Sequence, residues 1–208
     1  MQFGTTPYGH IAEIIFVGDP MCSWCYGFGS ELTKLRNTLQ EVPFSMLMGG
    51  LRDGDLFDAD KLQKHLGYWD AVAQETGLPF DATALSQPGF NYTTEPACRA
   101  VVAMKSVDES KVYALYSALQ QAFYAEGRDI TRAEVIADVV MALGVDIAMF
   151  KCAFEKEATV IATTIEKQKA RTYGVSSFPT LIIIDKQGHM SQIRGYKKYE
   201  ALMALIKK

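Results

Sequence analysis

Apolar residues recur along this chain with two different periods, and the change from one to the other marks its organisation. Ala12-Glu13-Ile14-Ile15-Phe16-Val17 holds four consecutive apolar residues, a run that suits a strand buried on both faces of a parallel sheet. Phe28, Leu32, Leu35 and Leu39 then repeat at helical spacing. Pro43 ends that pattern, and Phe44-Ser45-Met46-Leu47-Met48 predicts a second buried strand, closed by Gly49-Gly50. A strand, helix and strand of this length predict a parallel pair joined by a right-handed crossover.

From about residue 51 the pattern turns helical. Asp58 is placed to cap a helix whose apolar face is Leu62, Leu66, Trp69 and Ala73, ending at Gly77 before Pro79. An irregular stretch through Pro88 and Gly89 follows. Thr94 is expected to cap a helix bearing Ala97, Val101 and Met104. Asp108 opens another with Val112, Leu115, Leu119 and Phe123, stopping at Gly127. Thr131 and Glu134 have capping-box spacing ahead of Val135, Val139 and Leu143. A short helix after Asp146 leads into a longer one over 158–173. Strand patterns return over 180–184 and 190–193 around the turn Asp185-Lys186-Gln187-Gly188, and a final helix carries Leu202 and Leu205.

With 208 residues, 49% of them hydrophobic, the chain can bury a core for one large domain or one domain with an insertion. A net charge of -3 and a pI near 5.7 provide no electrostatic footprint for nucleic acid. Lys197-Lys198 and Lys207-Lys208 are expected on solvated helical faces. The first ten residues lack the basic segment of a secretory signal, and the run 14–17 is too short for its apolar region. No stretch approaches membrane-span length. The expectation is a cytoplasmic protein, in a compartment that keeps thiols largely reduced.

The chemistry sits where the first strand meets its helix, in Cys22-Ser23-Trp24-Cys25. Unpaired N–H groups and the macrodipole at a helix N-terminus favour a thiolate, and a cysteine three positions on can reach back to form a disulfide. Zinc sites share this spacing, but Cys98 and Cys152 form no second close pair and His10, His65 and His189 no ligand spacing, so no metal is expected. A structural disulfide would need a secretory context. Cys22 is the expected nucleophile and Cys25 the resolving thiol. Cys98 and Cys152, among apolar helical positions, are expected to be buried and inert. Gly27 and Gly29 weaken the start of the helix by roughly 1 kcal/mol each relative to alanine, which close packing or a hinge would explain.

A second signature is Gly174-Val175-Ser176-Ser177-Phe178-Pro179-Thr180-Leu181-Ile182-Ile183-Ile184-Asp185. Alone, Pro179 could begin an edge strand in trans. Together with the cysteine pair it resembles the cis-proline loop of the thioredoxin superfamily, with Phe178–Pro179 as the bond for which cis is accessible. The long helical stretch between the two motifs resembles the DsbA-like family, and Asp19-Pro20-Met21-Cys22-Ser23-Trp24-Cys25-Tyr26-Gly27-Phe28 is most similar to FrnE-type proteins and predicted cytoplasmic protein-disulfide isomerases. The resemblance runs from about residue 11 to the end. It implies an α/β, thioredoxin-like fold with a large helical insertion between the βαβ half and the cis-Pro half: residues 1–50 and 158–208 form the thioredoxin domain, and 51–157 the insertion.

It also implies a thiol–disulfide oxidoreductase of isomerase or reductase type, in which Cys22 and Cys25 react through a mixed disulfide. Ser23, Trp24, Tyr26, Phe178 and Pro179 would meet the substrate. No tightly bound cofactor is implied; glutathione would serve as redox partner or co-substrate, and a thioredoxin system could stand in its place. Two departures matter. Ser23 and Trp24 replace the histidine-containing dipeptide of the best-known DsbA, so a strongly oxidising potential does not carry over, and the additional C-terminal cysteines of FrnE proper are missing after Cys152. Related branches offer another activity, glutathione-dependent transfer or isomerisation of the kappa and 2-hydroxychromene-2-carboxylate isomerase type, which places serine at the active position. A non-enzymatic chaperone using the aromatic surface is the third reading.

Overall fold

The computed structural model describes residues 8–56 and 59–207. Strand β1 (Ile11–Gly18) leads into helix α1 (Ser23–Thr38), and β2 (Phe44–Met48) returns parallel to β1 with Ile14 opposite Phe44. Much later, β5 (Thr180–Asp185) pairs antiparallel with β1, and β6 (Met190–Arg194) with β5. The sheet order is β2-β1-β5-β6. Helix α8 (Tyr199–Ile206) closes the chain and packs on α1.

The apolar run of β1 is buried on both faces because successive side chains point to opposite sides. Ile14 and Phe16 join Leu32 and Leu35 of α1 and Leu202 and Met203 of α8 in one core. Ile15 and Val17 face the other way, with Leu47 and Ile182, against Ala170 and Val175 at the end of helix α7 (Glu157–Thr172). The sheet is thus covered on both faces, as a buried parallel pair requires.

Between β2 and α7 lie α2 (Ala59–Thr76), α3 (Glu95–Val107), a 3₁₀ turn at Glu109–Lys111, α4 (Val112–Tyr124), α5 (Ala133–Ala142) and α6 (Ile147–Glu155). Their apolar faces continue the α1 core without a break: Trp69, Val101, Leu119, Phe123 and Phe150 belong to the same cluster as Phe16 and Leu32. Asp146 caps α6, its side chain accepting from the N–H groups of Ala148 and Met149 at 2.8 and 3.1 Å.

The free edge of β2 is covered by side chains. Lys105 Nζ donates to the Met46 carbonyl at 2.6 Å, the Met48 N–H donates to Glu166 Oε2 at 2.9 Å, and Lys105 and Glu166 pair with each other. An edge strand that would otherwise offer unpaired main-chain groups is capped by α3 and α7. Lys105→Ala leaves the half-buried Glu166 charge with a single main-chain donor. The expected loss is about 1–3 kcal/mol, below the figure for a fully buried pair because Lys105 retains 27% exposure. In urea unfolding, the Lys105→Ala/Glu166→Ala double variant should lose clearly less than the sum of the single variants; strict additivity would show the pair is idle.

Several expectations need correction. The segment after residue 51 begins with strand β3 (Asp53–Leu56), which pairs antiparallel with β4 (Asn91–Thr93), so the helical pattern starts only at 59. This ribbon is short and polar, and its partner lies far away in sequence, so no local period announces it. Thr131 and Glu134 form no capping box: the Thr131 hydroxyl and N–H both bond Asp129 Oδ1, at 2.6 and 3.0 Å, and Glu134 binds Arg132. An aspartate two residues away competes better than the helix end. Thr94 stands at the N-cap of α3, but its hydroxyl bridges to the main chain of Arg52 instead. Leu205 is exposed; α8 buries Leu202, Met203 and Ile206. Asp58, the expected cap of α2, lies outside the described residues. Among those residues no helix is long and apolar enough to cross a membrane.

Candidate active site

Cys22 occupies the N-cap of α1, with extended backbone at φ -99° and ψ 115°, and Cys25 lies in the first turn. The turn that presents them is built by Asp19. Its carbonyl accepts from the Cys22 N–H at 3.1 Å, Oδ1 accepts from the Met21 N–H at 2.8 Å, and Oδ2 accepts from the Leu51 N–H at 2.7 Å and the Cys98 thiol at 3.4 Å. The carboxyl is fully buried, and burial pushes its pKa above the usual carboxylate range against the pull of those donors. All four cysteines are free thiols.

The two sulfurs differ in access. Cys22 keeps 7% exposure and Cys25 only 1%. The Cys25 thiol is pushed well above its usual pKa, first by burial and then by the neighbouring Cys22 sulfur. The buried thiol is therefore held protonated while its partner sits at the helix end.

The loop carrying Pro179 lies directly opposite. The Phe178–Pro179 peptide is cis, the Cys22 thiol points at the Phe178 carbonyl 3.8 Å away, and the Pro179 carbonyl accepts from the Gly195 N–H at 2.8 Å. Residues 156 positions apart in sequence thus meet at one sulfur. The Phe178 ring rests on Gly49, where an added Cβ would lie 2.1 Å from ring carbons. Gly49→Ala is expected to evict the ring and to lower stability by about 1–3 kcal/mol, as overpacking does. In a Phe178→Ala background the same change should be almost neutral; an equal loss in both backgrounds would show that the ring does not seat there.

Beside the dithiol an open cleft of about 490 Å³ is lined by Trp24, Glu75, Phe178, Gly195, Tyr196 and Lys197. Trp24 and Tyr196 form its aromatic wall, with ring centroids 5.7 Å apart, and Glu75 binds Lys198 at its rim. Ser23 and Trp24 are part-exposed. Tyr26 is 7% exposed, stacks on Tyr124 at 5.0 Å and donates to the Pro79 carbonyl at 3.4 Å. Its place, one residue beyond Cys25, turns it inward along α1.

Cys98 is buried as expected, but it is tied to the Asp19 carboxyl, whereas Cys152, expected to be buried, is exposed on α6. Gly27 does serve close packing, since a Cβ there would meet Val72 of α2 at 2.8 Å, whereas Gly29 faces open space. Asp19, Tyr196 and the glycine under Phe178 were missed in the sequence. Asp19 stood inside the resembling phrase, three positions before Cys22, and was the one with a readable signal.

No curated protein matches the sequence. A candidate protein disulfide isomerase from Nitrosomonas europaea shares 30% identity over 93% of this chain and 95% of its own, with a TM-score of 0.86. The cytosolic disulfide reductase DsbM from Pseudomonas aeruginosa superposes at a TM-score of 0.74 with 21% identity, covering 88% of this chain and 89% of that one, and it has also been solved with GSH. A 2-hydroxychromene-2-carboxylate isomerase has the same fold at 16% identity and a TM-score of 0.61, over 93% of this chain and 92% of that one. Residues 13–207 match the family model of the DSBA-like thioredoxin domain, and the chain belongs to that family.

Proposed function

We propose that this protein is a thiol–disulfide oxidoreductase of reductase or isomerase type that works through Cys22 and Cys25. One observation carries the reading: the Cys22 sulfur stands at the start of α1, facing the Phe178 carbonyl ahead of Pro179, with Cys25 buried behind it. Cys22, as thiolate, attacks a substrate disulfide and releases one substrate thiol. Cys25 then attacks Cys22, the second substrate thiol leaves, and the enzyme holds the Cys22–Cys25 disulfide. Two electrons pass to the substrate, and the reverse sequence oxidises or isomerises it.

The substrate's cysteine enters along the cleft between Trp24, Phe178 and Tyr196. Because the Pro179 carbonyl is committed to Gly195, Phe178 is the loop residue whose main chain meets the substrate. Glutathione is the proposed redox partner, with a thioredoxin system as its substitute, and the cytoplasm the proposed compartment; the DsbM likeness supports both without assigning either.

The test is equilibration with glutathione redox buffers, read by alkylation and mass. A reversible two-electron transition at Cys22–Cys25 is expected. Glutathione adducts without an intramolecular disulfide would overturn the dithiol reading and favour glutathione-dependent transfer or isomerisation.

A further inference from the structure

The cleft beside the dithiol has its aromatic walls in fixed places and one cation left over. Part of its wall is the turn between β6 and α8, residues 195–198, which is pinned at both ends. The Gly195 N–H donates to the Pro179 carbonyl at 2.8 Å, and the Tyr199 N–H donates to Glu31 Oε2 of α1 at 2.8 Å. Tyr196 packs edge-on against the buried Phe28, with ring centroids 6.4 Å apart, and stands beside Trp24. Most charges around this turn cancel. Lys198 binds Glu75, the acid that lines the cleft, at 3.2 Å, and Lys34 binds Glu31 at 3.1 Å. Lys197, half-buried in the cleft wall, is different. Its ammonium donates to the carbonyls of Arg194 and Tyr196 at 3.4 and 3.3 Å, and among the described residues no carboxylate pairs with it. An ammonium carries three donors, so one is left for a ligand. Neither the turn nor the loop 174–179 contains an acid.

We propose that Lys197 makes this cleft selective for peptide disulfides that carry a carboxylate side chain next to the reacting cysteine. The inference rests on the oxidoreductase reading above and names the substrate class of that same site. An extended peptide whose cysteine meets Cys22 passes the Phe178 main chain, whose carbonyl faces the sulfur. Phe178 and Trp24 both line the cleft and lead the peptide into it. A flanking apolar side chain lies on Trp24 and Tyr196, and the carboxylate accepts from Lys197 Nζ in a charge-assisted bond. Because the turn is pinned before the substrate arrives, little ordering of the protein accompanies binding. Glutathione, the proposed redox partner, matches less of the site. Its carboxylates suit Lys197, but its γ-glutamyl ammonium needs an acid, and Glu75 is engaged by Lys198. A lysine or arginine beside the substrate cysteine meets Lys197 as a like charge and is rejected.

The probes are the symmetric disulfides of acetyl-Phe-Cys-Asp-amide and acetyl-Asp-Cys-Phe-amide, each beside its asparagine counterpart, with the terminal charges blocked. At low ionic strength the reduced protein is expected to exchange with the better aspartate peptide about fivefold faster than with its asparagine counterpart, the scale of one exposed ion pair. Added salt should shrink that ratio. Lys197→Gln should bring it close to one, and Lys197→Glu should invert it. Lys186→Gln, on the exposed β5–β6 turn, changes the net charge by the same amount as Lys197→Gln and should leave the ratio near fivefold. Loss of the preference in Lys186→Gln as well would reveal a long-range field rather than a site and overturns the proposal, as does a parent ratio of one. A Lys197-dependent preference for glutathione disulfide over its glycine ester, with none among the aspartate peptides, also overturns it, because the cation then reads the tripeptide. Binding is followed apart from chemistry by calorimetry with the serine-for-cysteine peptides. An aspartate preference there without any disulfide exchange keeps the cleft assignment and removes the oxidoreductase reading; exchange with no preference in either measurement removes the assignment alone.

Discussion

Cys22→Ser is expected to lower disulfide exchange by more than about a thousandfold, because a serine hydroxyl at that helix end stays un-ionised at neutral pH and cannot form the mixed disulfide. Its partner variant should fail differently. Cys25→Ser leaves the nucleophile intact but removes the buried sulfur that displaces the substrate, so mixed disulfides should accumulate on Cys22 as a discrete mass increase. The asymmetry follows from access: Cys22 keeps 7% exposure at the helix end, whereas Cys25 is only 1% exposed. The check is reductive turnover of glutathione disulfide, together with trapped-intermediate mass. Cys22→Ser retaining a tenth of the activity would sink the mechanism. Undiminished turnover in Cys25→Ser would mean that an external thiol such as glutathione performs the second step, which moves the protein toward the monothiol chemistry of the transferase branch.

How much of this was readable before the fold was known depended on whether the information was local. The four apolar residues 14–17 predicted a doubly buried strand, and the helical stripe from Phe28 to Leu39 predicted α1, because each element's period is set within its own residues. The cysteine spacing and the proline loop were likewise visible as local phrases. What connects them was not. Asp19 lies in the cysteine phrase, yet its work depends on Leu51 and Cys98, on other elements. Gly49 looked like a strand stop, and only the closed fold shows it to be the floor under Phe178. Tyr26 packs on Tyr124 and is not among the residues lining the cleft, and proximity to the cysteines says nothing about which way a helix faces until its neighbours are in place. The ribbon of β3 and β4 was lost for the same reason, since its pairing joins residues separated by the whole of α2.

Phe123→Ala should produce the largest loss of stability, because this ring is where the helical segment is tied to the site. Its centroid lies 4.9 Å from that of Tyr124, 5.7 Å from Trp69 and 6.3 Å from both Phe90 and Tyr92, and it has no solvent exposure. Tyr92 in turn donates its hydroxyl to the carbonyl of Met21, the residue before Cys22. Removing the ring opens a cavity that four aromatic neighbours cannot all collapse into. The expected loss is about 3–5 kcal/mol, or roughly 6–20 °C in Tm for a chain of this size. Met149→Ala, at a position 58% exposed, should stay within about 0.5 kcal/mol and serves as the control. The shape of the transition is as informative as its midpoint. The core runs unbroken from Phe16 and Leu32 through Phe123 to Phe150, so a packing defect on α4 should lower one cooperative transition seen alike by near-ultraviolet and far-ultraviolet dichroism. Two separated transitions in Phe123→Ala would mean that residues 51–157 fold as a unit of their own, and that the dithiol turn keeps its shape without the helices that pack against it.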